Sequence, residues 1–201
     1  PKVIARLAEV SERVKDKRSD RIEWGVSRAG VPLEERHAVQ TFSRSSAMIA
    51  FEGRGEVTLQ ENSLLVLGAA DSGGTASRGD VSLLVTRGSL RGTVSGKSDD
   101  SAEFRVVTGS GEARFDAEAR RTEFQVSVNP DRSSTFSVIT GSAEITAAGR
   151  TVQLSANQTV TVTPGAAPGK PSALPGQPEP VSPAADVIVP FRTVPPLLTF
   201  S

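Results

Sequence analysis

The sequence of residues 47–59 predicts a β-hairpin. An apolar-rich run, Ala47-Met48-Ile49-Ala50-Phe51, and an alternating run, Glu56-Val57-Thr58-Leu59, flank the turn sequence Glu52-Gly53-Arg54-Gly55. Two β-type runs separated by a glycine-containing turn are typical of a hairpin, and side chains alternate between the two faces of a strand. The side chains that we therefore expect on the core face are those of Ala47, Ile49 and Phe51.

A strand-and-turn pattern recurs three times after residue 81. Residues 106–113 and 138–145 each contain an apolar pair, a threonine, a Gly-Ser step and a second β-type run, and residues 84–90 follow the same plan. Glycine adopts positive φ at little steric cost, so each Gly-Ser step predicts a sharp reversal. Because the copies are unequally spaced, the pattern favours stacked hairpins or rungs built on one plan over a strict repeat.

Together these patterns predict an all-β domain of many short strands in stacked or coiled sheets, β-solenoid-like or sandwich-like. The uninterrupted apolar run Leu64-Leu65-Val66-Leu67 favours a strand that is covered on both faces. Residues 3–14 are ambiguous, because their apolar positions fit both helical spacing at 3, 7, 10 and 14 and strand alternation at 3, 5 and 7. The residues alone leave both alternatives open.

Proline divides the chain near residue 164. Prolines separated by Gly, Ala and Ser follow from there: Pro164, Pro168, Pro171, Pro175, Pro178, Pro180 and Pro183. Since proline donates no backbone hydrogen bond and favours extended conformations, residues 164–186 are predicted to be a linker after a β domain at residues 3–163. Residues 187–201 are apolar again. We expect them to dock on a sheet edge as a proline-broken edge segment or to begin a further domain.

The charge balance limits the partners. Lys and Arg total 23 and Asp and Glu total 23, so the net charge is zero and no long-range field recruits nucleic acid. The absence of cysteine removes disulfides, thiolate nucleophiles and cysteine metal sites. No run approaches the ~20 apolar residues of a spanning helix. The chain begins at Pro1 without a methionine, so we expect a trimmed part of a longer protein whose membrane association comes from segments outside this chain.

Few residues could carry catalysis or bind a cofactor. His37 is the single histidine and lies in the charged sequence Glu34-Glu35-Arg36-His37. We therefore expect an exposed structural histidine rather than a catalytic base. With one histidine and no cysteine a transition-metal site lacks ligands, and no glycine-rich step has the context of a phosphate-binding loop. No catalytic, cofactor or metal residue is assigned, and no cofactor is expected.

Carboxylate pairs give the enzyme alternative its best residues. Adjacent acids occur at Glu34-Glu35 and at Asp99-Asp100, and a carbohydrate-active enzyme works through two carboxylates. Asp71 and Asp80 could contribute to a hard-cation site, but the loop between them has no calcium-binding template. Trp24 is the only tryptophan, and we expect it in the core.

The order of many short motifs resembles the FecR domain family, the periplasmic sensor module of bacterial cell-surface signalling. The resemblance covers residues 3–163. Its elements are Trp24, Gly30-Val31-Pro32-Leu33, Thr41, the run from Ser45 to Phe51, Gly53, Val57-Thr58-Leu59, Asn62-Ser63-Leu64, residues 85–90, 104–108, 137–145 and 154–158.

The resemblance implies a strand rather than a helix for residues 3–14. It also implies a non-enzymatic module of the bacterial periplasm or cell envelope that binds an envelope protein or a cell-wall component, with a role in signal sensing. The alternative is a carbohydrate-active envelope enzyme or carbohydrate-binding module that uses the paired carboxylates. The family pattern assigns no binding residues here, and the oligomeric state is left open.

Overall fold

The structure is a computed structural model that describes residues 3–68, 80–95, 103–115 and 121–175. Within these ranges the chain forms seventeen strands and no helix. The expectation of an all-β domain built from many short strands is therefore confirmed. The strands divide into two sheets that share the long strand β9 (Val81–Val94), whose residues 81–87 pair in one sheet and whose residues 88–94 pair in the other.

Sheet I contains the second part of β9. Its strands lie in the spatial order β4 (Pro32–Glu34), β1 (Val3–Ser11), β6 (Ser46–Phe51), β7 (Gly55–Leu59), β9, β12 (Thr122–Val128), β13 (Ser134–Thr140), β16 (Gln158–Val162) and β17 (Ser172–Ala173). The chain leaves and re-enters this sheet several times, and each time it contributes a hairpin or a single strand.

Sheet II contains the first part of β9. Its strands lie in the spatial order β3 (Gly25–Val26), β2 (Val14–Lys17), β5 (Ala38–Thr41), β8 (Leu64–Gly68), β9, β10 (Phe104–Thr108), β11 (Glu112–Phe115), β14 (Ala143–Ala147) and β15 (Arg150–Leu154). Only β9 and β10 run parallel among the strand pairs of the described residues.

The two sheets stack face to face around one core. Phe51 and Phe124 of sheet I meet Phe104 and Phe115 of sheet II, and the rings of Phe115 and Phe124 stack with centroids 3.8 Å apart. Alternation decides which side chains enter the core, as β6 shows with a strictly alternating burial pattern. The three β6 side chains expected on the core face are all buried: Ala47, Ile49 and Phe51. The hairpin of β6 and β7 is confirmed as well.

Two of the Gly-Ser steps are corners at which the chain changes sheet. Gly88 (φ 81°) lies where β9 passes between the sheets, and Gly141 (φ 86°) lies between β13 and β14. A Cβ at these positions would collide with the hydroxyl of Ser63 or of Thr122, so only glycine fits. The third step, at Gly109, forms the turn of the β10–β11 hairpin. The predicted reversal is present at Gly109, whereas at Gly88 the prediction is wrong, because β9 continues through that residue and only changes sheet.

Two other segments resolve questions that the residues left open. Residues 3–11 form β1 and residues 14–17 form β2, so the strand alternative for the amino-terminal segment is confirmed. In β8, Leu65 and Leu67 are fully buried whereas Leu64 and Val66 are half-buried. The expectation that β8 is covered on both faces is wrong, because its second face lies on the outside of sheet II and is only half-buried.

Part of the proline-rich segment pairs with the domain. β17 continues sheet I beyond β16 through the pairs Thr159↔Ser172 and Gln158↔Ala173. The N–H of Leu174 also donates to the carbonyl of Asn157 over 2.8 Å. Residues 176–201, which include the rest of the expected linker and the apolar tail, lie outside the described residues.

Candidate functional site

The histidine that was expected on the surface is buried. His37 lies between β4 and β5 and is 2% exposed. The expectation is wrong because the charged turn ends one residue earlier. Glu35 and Arg36 are exposed, and Arg36 has a φ of 63°, which reverses the chain before His37.

Asp16 on β2 joins His37 to Ser27. The Nε2 atom of His37 lies 3.2 Å from Oδ2 of Asp16, and the hydroxyl of Ser27 donates to the other carboxylate oxygen. The backbone N–H of Glu34 donates to Nδ1 of His37 over 3.2 Å. Because Nδ1 accepts, these hydrogen bonds assign the proton of the neutral imidazole to Nε2, which donates to Asp16. Both ring nitrogens thus have partners without a second ring proton.

These three side chains are the residue types of a hydrolytic triad, but their order is different. In such a triad the histidine accepts the proton of the serine hydroxyl. Here Ser27 donates to the carboxylate, and the two nitrogens of His37 are engaged by Asp16 and by the N–H of Glu34. Ser27 is therefore not bonded to the histidine base that such a triad requires. Sequence reasoning missed this network, because Asp16 stands in a charged run that is typical of a solvated turn.

The network fastens β3, the outermost strand of sheet II. The N–H of Ser27 donates to the carbonyl of Val14 over 3.0 Å, directly after the pairs Lys15↔Val26 and Asp16↔Gly25. In an antiparallel pair successive residues point their backbone groups alternately toward and away from the partner. Since Ser27 points toward β2, the N–H and C=O of Val26 point away from it. In the registers of the described strands, β3 pairs with β2 alone.

Large apolar side chains are exposed beside this open edge. Ile22 is 90% exposed and Val26 is 77% exposed. Trp24 between them is half-buried and lies outside the core, so the expectation of a core tryptophan is wrong. The reason is that residues 18–24 lead up to β3 at the rim of the sandwich, where no second sheet covers them. Single exposed apolar residues are common, but a group at one edge is typical of a contact surface.

Basic side chains surround these apolar residues. Residues 13–28 contain six Lys or Arg and three Asp or Glu in a chain whose net charge is zero. Two of the three carboxylates are engaged, since Asp16 belongs to the buried network and Asp20 pairs with Arg18 at 3.2 Å. Lys15 lies directly opposite Val26. The edge is therefore apolar with a positive surround. We call Ile22, Trp24 and Val26, with Lys15 beside them, the β3 edge surface.

The expected carboxylate pairs do not form a site in the described chain. Glu34 is half-buried and approaches Arg18 at 3.7 Å, whereas Glu35 is exposed in the turn. Asp80 accepts the N–H of Glu103 over 3.0 Å and so ties the start of β10 to β9. The pair Asp99-Asp100 and also Asp71 lie outside the described residues. No group of three or more His, Asp or Glu suited to a metal ion occurs within the described ranges.

A second charged cluster lies on the outer face of sheet II. Arg105 of β10, 6% exposed, contacts Glu103 at 2.7 Å and Glu112 at 3.5 Å. Arg114 of β11 contacts the same two carboxylates at 3.2 Å and 2.8 Å. The hydrogen bond to Glu112, together with the charge of Glu103, raises the pKa of Arg114 above its ordinary value. Glu144 lies directly opposite Arg114 and adds a third carboxylate. Because both cations are engaged, this cluster stabilises the β10–β11 hairpin rather than attracting an anionic ligand.

The pattern of the FecR protein family matches residues 37–144, which is more than half of the 201 residues. This chain belongs to the FecR protein family. The matched range begins at His37, at the entry to β5, and ends within β14. The β3 edge surface therefore lies just before the part of the chain that defines the family.

Two crystal structures from Parabacteroides distasonis ATCC 8503, each described as a candidate anti-sigma factor, are similar to this FecR-family chain. The one at 2.50 Å resolution has a TM-score of 0.50 and 14% sequence identity, and the match covers 68% of this chain and 59% of that chain. The one at 1.65 Å resolution has a TM-score of 0.49 with the same identity and coverage. At this identity the likeness shows the fold alone, and the chain spans less than two thirds of that protein.

A search of curated proteins found no match to this chain. In the ranges that the structure describes, no helix has the length and apolar character needed to cross a bilayer.

Proposed function

We propose that this FecR-family chain is a non-enzymatic module of the bacterial cell envelope that binds a protein partner in signal sensing, in the periplasm. The observation that carries the proposal is the β3 edge surface, where Ile22 and Val26 are 90% and 77% exposed beside an open strand edge. Exposed apolar groups at a sheet edge cost solvation free energy that only a partner recovers. Membership of the FecR family supports the sensing role.

The buried network supports a binding role over catalysis. A hydrolase of the triad type needs a histidine that can accept the nucleophile's proton, and both nitrogens of His37 are already engaged. A glycosidase needs two carboxylates about 5–10 Å apart across the substrate. Glu34 instead contacts Arg18 and Glu35 is exposed in a turn. Glu34 and His37 thus make contacts within the fold, and exposed apolar side chains lie nearby at β3.

Binding to a protein and action on cell-wall glycan can be separated in one experiment. The purified chain is immobilised, exposed to envelope extract, and cross-linked; in parallel it is incubated with purified cell-wall glycan. We expect one protein to be captured, to rebind in purified form with saturable 1:1 stoichiometry, and the glycan to be neither bound nor cleaved. Release of reducing sugar, or saturable binding to glycan without a protein partner, would replace the proposal with the carbohydrate alternative.

A further inference from the structure

We propose that the β3 edge surface binds an extended, apolar segment of the partner that is flanked by acidic residues, and that this segment adds to sheet II as a further strand. The inference rests on the proposed function, because it specifies the surface and the chemistry of the protein partner. Its support comes from four features of the described chain: the free backbone groups of Val26, the exposed side chains, the local charge, and the contrast with the other sheet ends.

The backbone of β3 is ready to pair with another strand. Ser27 and Gly25 direct their N–H and C=O groups toward β2, so those of Val26 point outward. An extended peptide that lies along this edge can exchange both hydrogen bonds with Val26. Strand addition of this kind derives affinity from main-chain bonds and specificity from alternate side chains.

The side chains beside Val26 define what the added strand must carry. Val26 is on the outer face of sheet II, since its neighbours Gly25 and Ser27 share the face of buried Val14. A residue of the partner opposite Val26 therefore lies on the same outer face, where an apolar or β-branched side chain makes the most favourable cross-strand pair. Ile22, three residues before β3, is a second exposed apolar side chain in this segment.

The charge around the edge selects acidic flanks. Lys15 is the direct neighbour of Val26 across the β2–β3 pair, and Lys17 continues the same face of β2. Arg21 and Arg28 are exposed on either side of the edge. A partner strand with carboxylates at its ends gains from this surround, whereas a basic strand is repelled.

The other sheet ends are protected against pairing, which sets the β3 end apart. β4 begins with Pro32, which has no N–H to donate, and β17 lies between Pro171 and Pro175. β15 exposes the polar side chains of Arg150, Thr151 and Gln153. Prolines and charged side chains on the edge strand itself are usual means of blunting an edge. The β3 end, by contrast, carries exposed Ile22 and Val26.

The Asp16 network gives this edge a fixed geometry before binding. The Ser27 hydroxyl and the His37 ring both bond to Asp16, so the residue after β3 is tied to β2 and to the start of β5. A strand that is already held in position loses less conformational entropy when a partner pairs with it. The buried polar groups thus act as positioning residues for the surface.

A displayed library of random nine-residue peptides tests the inference with the intact chain. Trp24 is the only tryptophan and the chain has no tyrosine, so its fluorescence reports binding at this surface without a label. We expect selected peptides to alternate apolar and polar residues between acidic ends, and to lose binding when the backbone amides that face Val26 are N-methylated. Enriched peptides without alternation, or with basic ends, would overturn the inference.

Matched variants separate the backbone from the charge. Val26→Pro removes the outward N–H but keeps the pairing with β2, and should weaken the selected peptides about tenfold or more, while Val26→Thr keeps the N–H and should weaken them only about threefold. Lys15→Glu should weaken them severalfold, whereas Arg150→Glu on β15 should not. Circular dichroism confirms that each variant is folded. Equal binding by Val26→Pro and wild type would refute strand addition.

The captured envelope protein distinguishes the two proposals. If the wild-type chain and Val26→Pro bind that purified protein equally, the protein-binding function stands and the β3 edge is the wrong surface. If neither binds any envelope protein saturably, the proposed function itself fails, whatever the library yields. If Val26→Pro and Lys15→Glu no longer bind that protein and Arg150→Glu still binds it, the result supports both the proposed function and strand addition at β3.

Discussion

Replacing His37 by alanine should destabilise the fold far more than replacing Asp16 by asparagine. His37→Ala removes a fully buried ring, leaves the N–H of Glu34 without its acceptor, and takes a donor from Asp16. A lost buried hydrogen bond costs about 1–3 kcal/mol and a cavity adds to this, so we expect a loss of about 3–5 kcal/mol. The Asp16 side chain is 15% exposed, so water offsets part of its loss.

Asp16→Asn keeps both contacts in the assigned hydrogen-bond pattern. The amide oxygen can accept from Nε2 of His37, and the amide nitrogen can donate to the Ser27 hydroxyl, which rotates to accept. The expected loss is therefore only about 1 kcal/mol, mainly that of replacing charge-assisted bonds by neutral ones. Asp16→Ala, which removes both contacts, should fall between this variant and His37→Ala.

Urea unfolding measures all three free energies. Trp24 fluorescence follows the transition, because this half-buried residue directly precedes β3. The nitrogen-15 shifts of His37 provide an independent check and should report a proton on Nε2. If Asp16→Asn costs as much as His37→Ala, the negative charge rather than the hydrogen-bond pattern stabilises the site. The tautomer assignment, and with it the argument against a triad, would then be refuted.

Three further predictions follow from other parts of the fold. Gly92→Ala places a Cβ 2.5 Å from the Phe124 ring and should cost about 1–3 kcal/mol in urea unfolding, with partial rescue by Phe124→Leu. Two hydrogen bonds from Ser133 lower the pKa of Asp131. The stabilisation of the fold by this carboxylate should be complete above the ordinary pKa of 3.8 and disappear as the pH falls through the lowered pKa. A carboxyl NMR titration measures that pKa. Deleting residues 164–201 removes β17 and should lower Tm by several degrees. Deleting only residues 176–201 should lower Tm below that of the wild type only if the apolar tail docks on the domain.

The hairpin of β6 and β7 could be predicted from sequence because its information is local. The alternation of Ala47, Ile49 and Phe51 and the glycine turn after them lie within a dozen residues, and both partners are neighbours in the chain. The same holds for the β10–β11 hairpin. Sheet stacking was predicted only as a class, since the contact of Phe51 with Phe104 joins residues far apart in sequence.

The site could not be predicted because its residues gain their roles from distant partners. Asp16 lies in a run of charged residues that is typical of a solvated turn, yet Val14 and Asp16 share the inward face of β2. Ser27 and His37 reach Asp16 from 11 and 21 residues away. The available signal was a carboxylate two residues after a buried valine, which alternation places on the core side, where a buried charge requires partners.

The residues that carry the family resemblance reveal little about the partner, because many of them bond to the backbone of the fold. Thr41 accepts the N–H of Ser63 over 3.0 Å, and the hydroxyl of Ser63 accepts that of Ser89 over 2.9 Å. These hydroxyls satisfy backbone groups where the chain turns between strands or sheets, and unpaired buried groups are costly. Ser45 likewise accepts the N–H of Arg13 over 3.0 Å.

A motif made of such residues preserves the sandwich and leaves its rim free to change. The family match begins at His37, whereas the exposed Ile22 and Val26 precede it. The link between the two parts is His37 itself, because its ring fixes Asp16 and through it the residue after β3. A sequence change at residues 18–26 can therefore alter which partner binds, while the corners, the core and the hydrogen bonds of Asp16 stay the same. Chains of this family that bind different partners should thus differ at this edge before they differ at the corner hydroxyls.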